Sequence, residues 1–336
     1  MQNFRTLYTV ILASAVAASV FSCGQGQQEI QVDMPQKKAT SIGDIVPAGA
    51  KLTKVTGDFE FDTAGSPCWA DGVLYFTNNN FDPAERSKTM KMTAAGEFQV
   101  LREDNGVTTT IQKSGRGTFY ACEMLGHRVV EMDGDGKIIR VVCGEYEGKR
   151  IDGPNDIVVD SRGGLYFTDS QFIGDQQKMQ DTPAVYYVKP DGSTIRVIDD
   201  IPFPNGVYLS PDEKTLYVDN THGKYLLAYD VGEDGTVSNG RNFAELQITD
   251  ANRETGFSGA DGMAVDSAGN IYVVTTQGLG IQVIAPDGTH IGNIPCEAAT
   301  NNCNFGGVDM KTLYVSAKDG IYRIPVKIAG LDLTGK

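Results

Sequence analysis

The chain has 336 residues, with 29 Lys and Arg against 43 Asp and Glu, for a net charge of −14 at pH 7. That acidity excludes nucleic acids and anionic membrane surfaces as partners gripped through a basic face. Its 39 glycines follow no triplet period, which excludes a collagen-like chain and fits many tight turns between short strands.

The first residues read as a targeting segment rather than as fold. Arg5 precedes an apolar run from Leu7 to Phe21 that is too short, and too quickly followed by polar residues, to span a membrane. The run closes on Val20-Phe21-Ser22-Cys23, which resembles a bacterial lipoprotein signal with Cys23 as the lipid-attachment residue. Val20 stands where such signals carry leucine, and an ordinary secretory signal with an incidental cysteine is the alternative. Either way an exported protein is expected, anchored through Cys23 in the periplasm or outer membrane of a bacterium and touching the membrane only there. The expected organisation is a signal over 1–22, a flexible tether over 23–48, rich in Gln, Lys and Asp, and one domain over 49–336.

Within that domain one strand signal recurs. Leu74-Tyr75-Phe76-Thr77, Thr118-Phe119-Tyr120-Ala121, Leu165-Tyr166-Phe167-Thr168, Leu216-Tyr217-Val218, Ile271-Tyr272-Val273 and Leu313-Tyr314-Val315 each follow a turn rich in Gly, Asp or Lys. The tyrosines are 45, 46, 51, 55 and 42 residues apart, about the length of one four-stranded blade. A second turn follows in several repeats, as in Asp133-Gly134-Asp135-Gly136, Pro190-Asp191-Gly192, Gly232-Glu233-Asp234-Gly235 and Pro286-Asp287-Gly288, separating apolar runs as a hairpin does. No segment sustains a helical period. The expected fold is all-β, a six-bladed β-propeller with four antiparallel strands per blade. The last repeat has room for only three strands, so an N-terminal strand between Leu52 and Phe61 is expected to close the ring. Two stacked β-sandwiches do not explain a repeat that continues through the middle.

In a propeller the loops entering the innermost strands meet at one end of the central channel. Asn105-Gly106, Asn155-Asp156, Asn205-Gly206 and Asp261-Gly262 each precede an apolar strand start in consecutive repeats. Any one of them is explained by an Asx turn, but four in register suggest a cage of oxygens. Such a cage suits Ca²⁺, Mg²⁺ or Mn²⁺ better than zinc.

GPNDIVVDSRGGLYFTDS, PNGVYLSPDEKTLYVDNT, ADGMAVDSAGNIYV and NCNFGGVDMKTLYVSA resemble the signature segments of the gluconolactonase, regucalcin and luciferin-regenerating-enzyme family. YACEMLGHRVVEMDGDGK with EYEGKR is closest to its bacterial gluconolactonase branch, and the resemblance runs from about residue 55 to 326. It implies a six-bladed propeller with one divalent cation at the channel mouth, Ca²⁺ first and Mg²⁺, Mn²⁺ or Zn²⁺ as alternatives. It also implies hydrolysis of a sugar lactone or similar small ester by a monomer. Carried over residue by residue, Asn155, Asn205 and Asp261 are the metal positions, and Asn105 and Glu123 fall where substrate is contacted. Asp152 replaces a family asparagine, brings negative charge near the site and joins the substrate-contacting group. Asp261 first, and Asp156 second, is expected to orient or deprotonate the attacking water.

One departure weakens the carry-over. The family's first metal-ligand Glu falls at Gly65 in Ala64-Gly65-Ser66-Pro67-Cys68-Trp69, which removes a carboxylate from the cage. A non-catalytic exported propeller that binds a sugar or a protein at the same mouth is therefore the rival reading. The three histidines, His127, His222 and His290, are too scattered for a zinc site, and Trp69 reads as packing. Export would permit disulfides between Cys296 and Cys303 and between Cys122 and Cys143.

Overall fold

The computed structural model describes residues 38–82, 85–93, 95–172 and 177–332. Cys23, the signal and most of the expected tether lie outside the described residues.

Six four-stranded antiparallel sheets follow one another along the chain as the blades of a propeller. The inner strands are Ala64–Ala70, Thr108–Lys113, Pro154–Val159, Pro204–Leu209, Ala260–Val265 and Thr300–Gly306. Each second strand carries the repeated tyrosine, and Tyr75, Tyr120, Tyr166, Tyr217, Tyr272 and Tyr314 are all buried. Alternation places every second side chain of these strands between neighbouring blades, so the aromatic sequence signal is the packing between blades. Trp69 of blade one stacks on Tyr314 of blade six at 5.7 Å, a packing role. Buried phenols are satisfied: Tyr272 donates to Asp266 Oδ2 at 3.0 Å and Tyr166 to the Gly235 carbonyl at 2.9 Å.

The second family of turns joins strands three and four of blades two to five. Gly136, Gly192, Gly235 and Gly288 hold φ between 82° and 88° there, a conformation that glycine adopts without a Cβ penalty. The ring closes as expected. Thr53–Lys54 pairs antiparallel with the last strand, Gly320–Pro325, and completes blade six.

Two expectations change. Residues 39–48, read as tether, pack onto the propeller. A one-turn helix, Ile42–Ile45, is closed by a reciprocal Ser41–Asp44 capping box, and Ile45 and Ala39 are buried against Tyr272, Ile294 and Ile324. Two apolar side chains in a polar stretch suffice to dock it. The second change concerns cysteine. Cys68, Cys122, Cys143, Cys296 and Cys303 are all free and buried. Cys122 and Cys143 both pair with Val129, which puts a whole strand between them. Cys303 sits on an inner strand, with its thiol against the Tyr272 carbonyl at 3.6 Å, whereas Cys296 follows the outer strand of the preceding blade.

The far end of the channel is covered by the chain's last described residues. Leu331 donates its N–H to the Val265 carbonyl at 2.9 Å, and Lys113 pairs with Asp332 at 2.6 Å. Among the described residues, a cavity lies at the opposite end, where the inner strands begin.

Candidate functional site

Each inner strand slips against its neighbour just after it starts. Pro154 pairs with Asp169 but Ile157 with Phe167; Pro204 with Asn220 but Val207 with Val218; Ala260 with Thr275 but Met263 with Val273. Two residues therefore oppose one, a β-bulge that re-aims side chains. Counted by this register, equivalent places are held by Gly65, Thr109, Asn155, Asn205, Asp261 and Asn301. All six line one cavity of about 300 Å³, in which Asn79, Thr221 and Asn302 complete the polar wall.

A belt of hydrogen bonds laces the blades together at this level. Asn79 Nδ2 donates to the Thr108 carbonyl at 2.8 Å, Thr109 to Asn155 at 2.7 Å, Thr168 to Asn205 at 2.7 Å and Thr221 to Ala260 at 2.7 Å. Thr300 donates to Thr275 at 3.1 Å, and Asn301 Nδ2 to the Ala64 carbonyl at 2.7 Å. Every junction carries one such bond, so the side chains of the mouth are held in place before any ligand arrives.

Several acceptors are left over. Asn205 Nδ2 is tied to Thr221 Oγ1 at 3.1 Å, and its Oδ1 is buried without a partner. Asn79 Oδ1 is in the same state. Buried acceptors left unpaired cost about 1–3 kcal/mol each, which points to a ligand atom that satisfies them. Asn155 donates through Nδ2 to Ser170 Oγ at 3.3 Å.

Three carboxyls converge beneath. Burial and the nearby Asp156 charge push Asp261 up to about 7. Burial pushes Asp156 up to about 6, against the bonds it accepts from Val207 N at 3.1 Å and Thr110 Oγ1 at 2.9 Å. Asp219 is raised well above the carboxylate range by burial, then by Asp261 and Asp156; its Oδ1 accepts from Gly206 N at 3.1 Å and its Oδ2 has no partner. None of the three has a Lys or Arg ion-pair partner among the described residues. Like charges crowded in low dielectric disfavour ionisation, and a bound cation would reverse that.

The glycines beside these residues serve close approach, not turns. A Cβ on Gly206 would lie 2.4 Å from the Asp261 carbonyl oxygen and 2.6 Å from Asp219 Oδ2, and one on Gly262 would lie 2.2 Å from Asn302 Oδ1. Asn205-Gly206 and Asp261-Gly262 are thus strand residues packed at the axis, and the Asx-turn explanation does not apply.

The structure brings Asn155, Asn205 and Asp261 together and sets Asp156 just below them. Gly65 also reaches the cavity wall, in the register place where the family glutamate was expected, and a Cβ there would lie 2.7 Å from Thr77 Oγ1. Asn105, Glu123 and Asp152 stand outside the cavity lining. Asn105 is four residues early in register, and its amide caps a loop, accepting from Thr108 N at 3.2 Å and donating to Thr89 Oγ1 at 3.1 Å. Both oxygens of buried Glu123 are taken by Arg102 and by Arg128, the latter at 2.6 Å. Asp152 accepts from Met179 N at 2.8 Å and from Gln171 Nε2 and Gln180 N at 3.0 Å, which fixes a neighbouring loop. Asn79, Thr109, Asn301, Asn302 and Asp219 were not expected. Aligning the repeats on their tyrosines, which stand 11 residues after Asn155 and Asp261, would have pointed to Thr109 but not to Asn301, whose tyrosine is 13 residues on.

The donor set is mixed. Among the described residues no three His, Cys, Asp or Glu side chains stand together where they could hold a metal ion. Asn155, Asn205 and Asp261 instead offer oxygen donors of which one is a carboxylate, and the orphaned Asn205 Oδ1 is free to ligate. That chemistry fits a hard divalent cation.

Comparison with known proteins bears on the fold and the family. The chain is 29% identical over 301 residues to a gluconolactonase from Zymomonas mobilis, a match covering 78% of this chain and 80% of that one. It is 34% identical over 201 residues to lactonase drp35 of Staphylococcus saprophyticus, covering 57% of each chain, just over half of that relative's length. The solved structure of a gluconolactonase from Xanthomonas campestris superposes with a TM-score of 0.73 at 26% identity, covering 86% of this chain and 94% of that one. Residues 63–319 match the SMP-30/Gluconolactonase/LRE-like region, and the chain belongs to that family.

Proposed function

We propose that this cavity hydrolyses a lactone or similar small carboxylic ester, with a divalent cation, Ca²⁺ first, held by Asn155, Asn205 and Asp261. The observation that carries the reading is a laced ring presenting one carboxylate beside unsatisfied amide oxygens, in a chain whose relatives are named gluconolactonase and lactonase. An ion bound there supplies Lewis-acid polarisation of the substrate carbonyl. Asp261, the one carboxylate of the ring, takes a proton from the attacking water. The water oxygen bonds to the carbonyl carbon, the acyl C–O bond breaks, and the proton passes from Asp261 to the departing alkoxide to give the hydroxy acid. Asp156 does not touch substrate; held by Thr110 and Val207, it raises the basicity of Asp261 by its charge.

The test is hydrolysis of D-glucono-δ-lactone by the purified protein with added Ca²⁺, Mn²⁺ or Zn²⁺ and with chelator, alongside Asp261→Ala. Retained hydrolysis in that variant overturns the role of Asp261. Gly65 favours a second reading, a non-catalytic propeller that binds a ligand at the mouth, because it leaves the ring one carboxylate short. Protein that holds no divalent ion and is silent on every lactone supports this alternative.

We also propose export and lipid attachment at Cys23, on the strength of the apolar run ending at Ser22. Labelling with a radioactive fatty acid, lost in Cys23→Ser, checks it.

A further inference from the structure

The cavity has two chemistries. Its floor is amide and carboxyl, whereas its rim is aromatic. Phe81 and Phe172 line it and are 47% and 50% exposed, among the most solvent-exposed large apolar side chains described. Their rings meet edge to face at 6.2 Å, and Phe172 meets Phe203 the same way at 6.2 Å. His222 continues the arc at 4.6 Å from Phe203, and Phe257 follows at 5.7 Å. These five rings come from loops of blades one, three, four and five, so no local packing need brings them together.

The chain leading into Phe172 is held firmly. Gln171, which precedes Phe172, holds a left-handed φ of 56° and is fixed on three sides. Its Nε2 donates to Asp152 Oδ2 at 3.0 Å and to the Gln180 carbonyl at 2.9 Å, and its N–H donates to Asp169 Oδ1 at 3.3 Å. The buried Asp152 carboxylate thus holds up a phenyl ring that water surrounds on half its surface. An apolar ring kept in water by a buried polar anchor marks a binding surface.

We propose that the substrate is amphipathic: a lactone or ester whose carbonyl meets the floor and whose aryl or alkyl substituent packs on Phe81, Phe172 and Phe203. This rests on the hydrolytic reading of the floor. Among the described residues the rim presents Phe81, Phe172 and Phe203, so hydroxyls of a polyhydroxylated sugar lactone directed at these rings would leave water without gaining hydrogen bonds from them. An alkyl or aryl group gains there what a hydroxyl loses. The cavity volume of about 300 Å³ takes one or two rings, or a ring with a short chain.

The experiment compares kcat/KM of the full chain on γ-butyrolactone, γ-valerolactone, γ-caprolactone and γ-octalactone with that on D-glucono-δ-lactone. The expected result is a rise of about three- to fourfold per added methylene until the rim is filled, the size of the transfer of one methylene from water. Phe81→Ala and Phe172→Ala should flatten that slope, and Phe172→Leu, which restores an apolar surface, should recover most of it. Hydrolysis of D-glucono-δ-lactone with no dependence on chain length overturns the inference and leaves the hydrolytic reading standing. Hydrolysis of none of the five overturns the hydrolytic reading, and the inference falls with it.

Discussion

Two halves of the same ring carry different duties. In blades six, one and two the residues at the mouth serve the belt or contribute nothing: Asn301 and Thr109 hold the next blade, and Gly65 has no side chain. In blades three, four and five the lacing passes to threonines one strand away or one blade on, Thr168, Thr221 and Thr300, and this frees Asn155, Asn205 and Asp261 to face the cavity. One backbone device, a bulge at the start of each inner strand, therefore supports both structure and chemistry. Which of the two a blade provides is decided by where its threonine sits.

The sharpest way to break this division is to remove one residue from each half. Asp261→Ala should lower kcat/KM by about 10²- to 10⁴-fold, the usual contribution of a positioned general base. Thr109→Val keeps the shape, removes a lacing hydroxyl, and should cost about 1 kcal/mol of stability with less than a tenfold change in turnover. Equal losses of activity in the two variants would erase the distinction. Lactone titration and thermal melts of both proteins measure it.

A second contrast is electrostatic. The carboxyls lie under the free half of the ring, and their titration should show in stability when no metal is present. Asp156, at about 6, and Asp261, at about 7, both lie above the value of 3.8 for a free carboxyl. The folded state then binds more protons than the unfolded state between about pH 4 and 7, and stability should fall as pH rises through that window. For Asp156 alone the loss is on the order of 3 kcal/mol once ionisation is complete. Melting in chelator from pH 5 to 8 tests this, with Asp156→Asn expected to flatten the curve. Added Ca²⁺ should recover most at the alkaline end. A melting temperature that rises with pH would show that the carboxyls are not grouped as described.

How much of this was legible in the sequence follows from what is local. The six blades were, because each second strand carries its own tyrosine and its own flanking turn, and the hairpin glycines need only their neighbours to explain them. The ring was legible only in part. All five residues sit at the same one-residue slip, but only Asn155, Asn205 and Asp261 stand there in an Asn-Asp, Asn-Gly or Asp-Gly pair, which Thr109-Thr110 and Asn301-Asn302 do not display. Asn105 looked equivalent because it precedes a glycine and an apolar residue, but register is a property of the paired strand. Asp219 lies on a second strand and meets Asp261 only across the junction of blades four and five. The aromatic rim drew on loops of four blades and left no trace in any one of them.

The barren wall of the ring offers the next test. Gly65→Glu would return a carboxylate to the half that lacks one, but its Cβ would lie 2.7 Å from Thr77 Oγ1. That hydroxyl is buried without a partner, so Thr77 can be shortened with little polar loss. Gly65→Glu alone should cost about 1–3 kcal/mol through overpacking, and Gly65→Glu with Thr77→Ala should regain part of it. In the double variant cation affinity should rise about tenfold, roughly the effect of one further carboxylate ligand, as read by calorimetry with Ca²⁺. Unchanged affinity would mean that the wall at Gly65 does not face the ion.

The smallest effect on activity is expected where the sequence pointed to substrate and the structure shows a cap. Asn105 is completely buried, and its amide holds the loop between Asp104 and Val107, both at positive φ, by bonds to Thr108 N and Thr89 Oγ1. Asn105→Ala leaves Thr108 N without its acceptor and should destabilise the fold by about 1–3 kcal/mol. KM should stay within twofold of the parent, because nothing at this position reaches the cavity. Asn105→Asp keeps the acceptor for Thr108 N and should recover part of the stability. A large rise in KM in either variant, at a temperature where both are folded, would return Asn105 to the substrate.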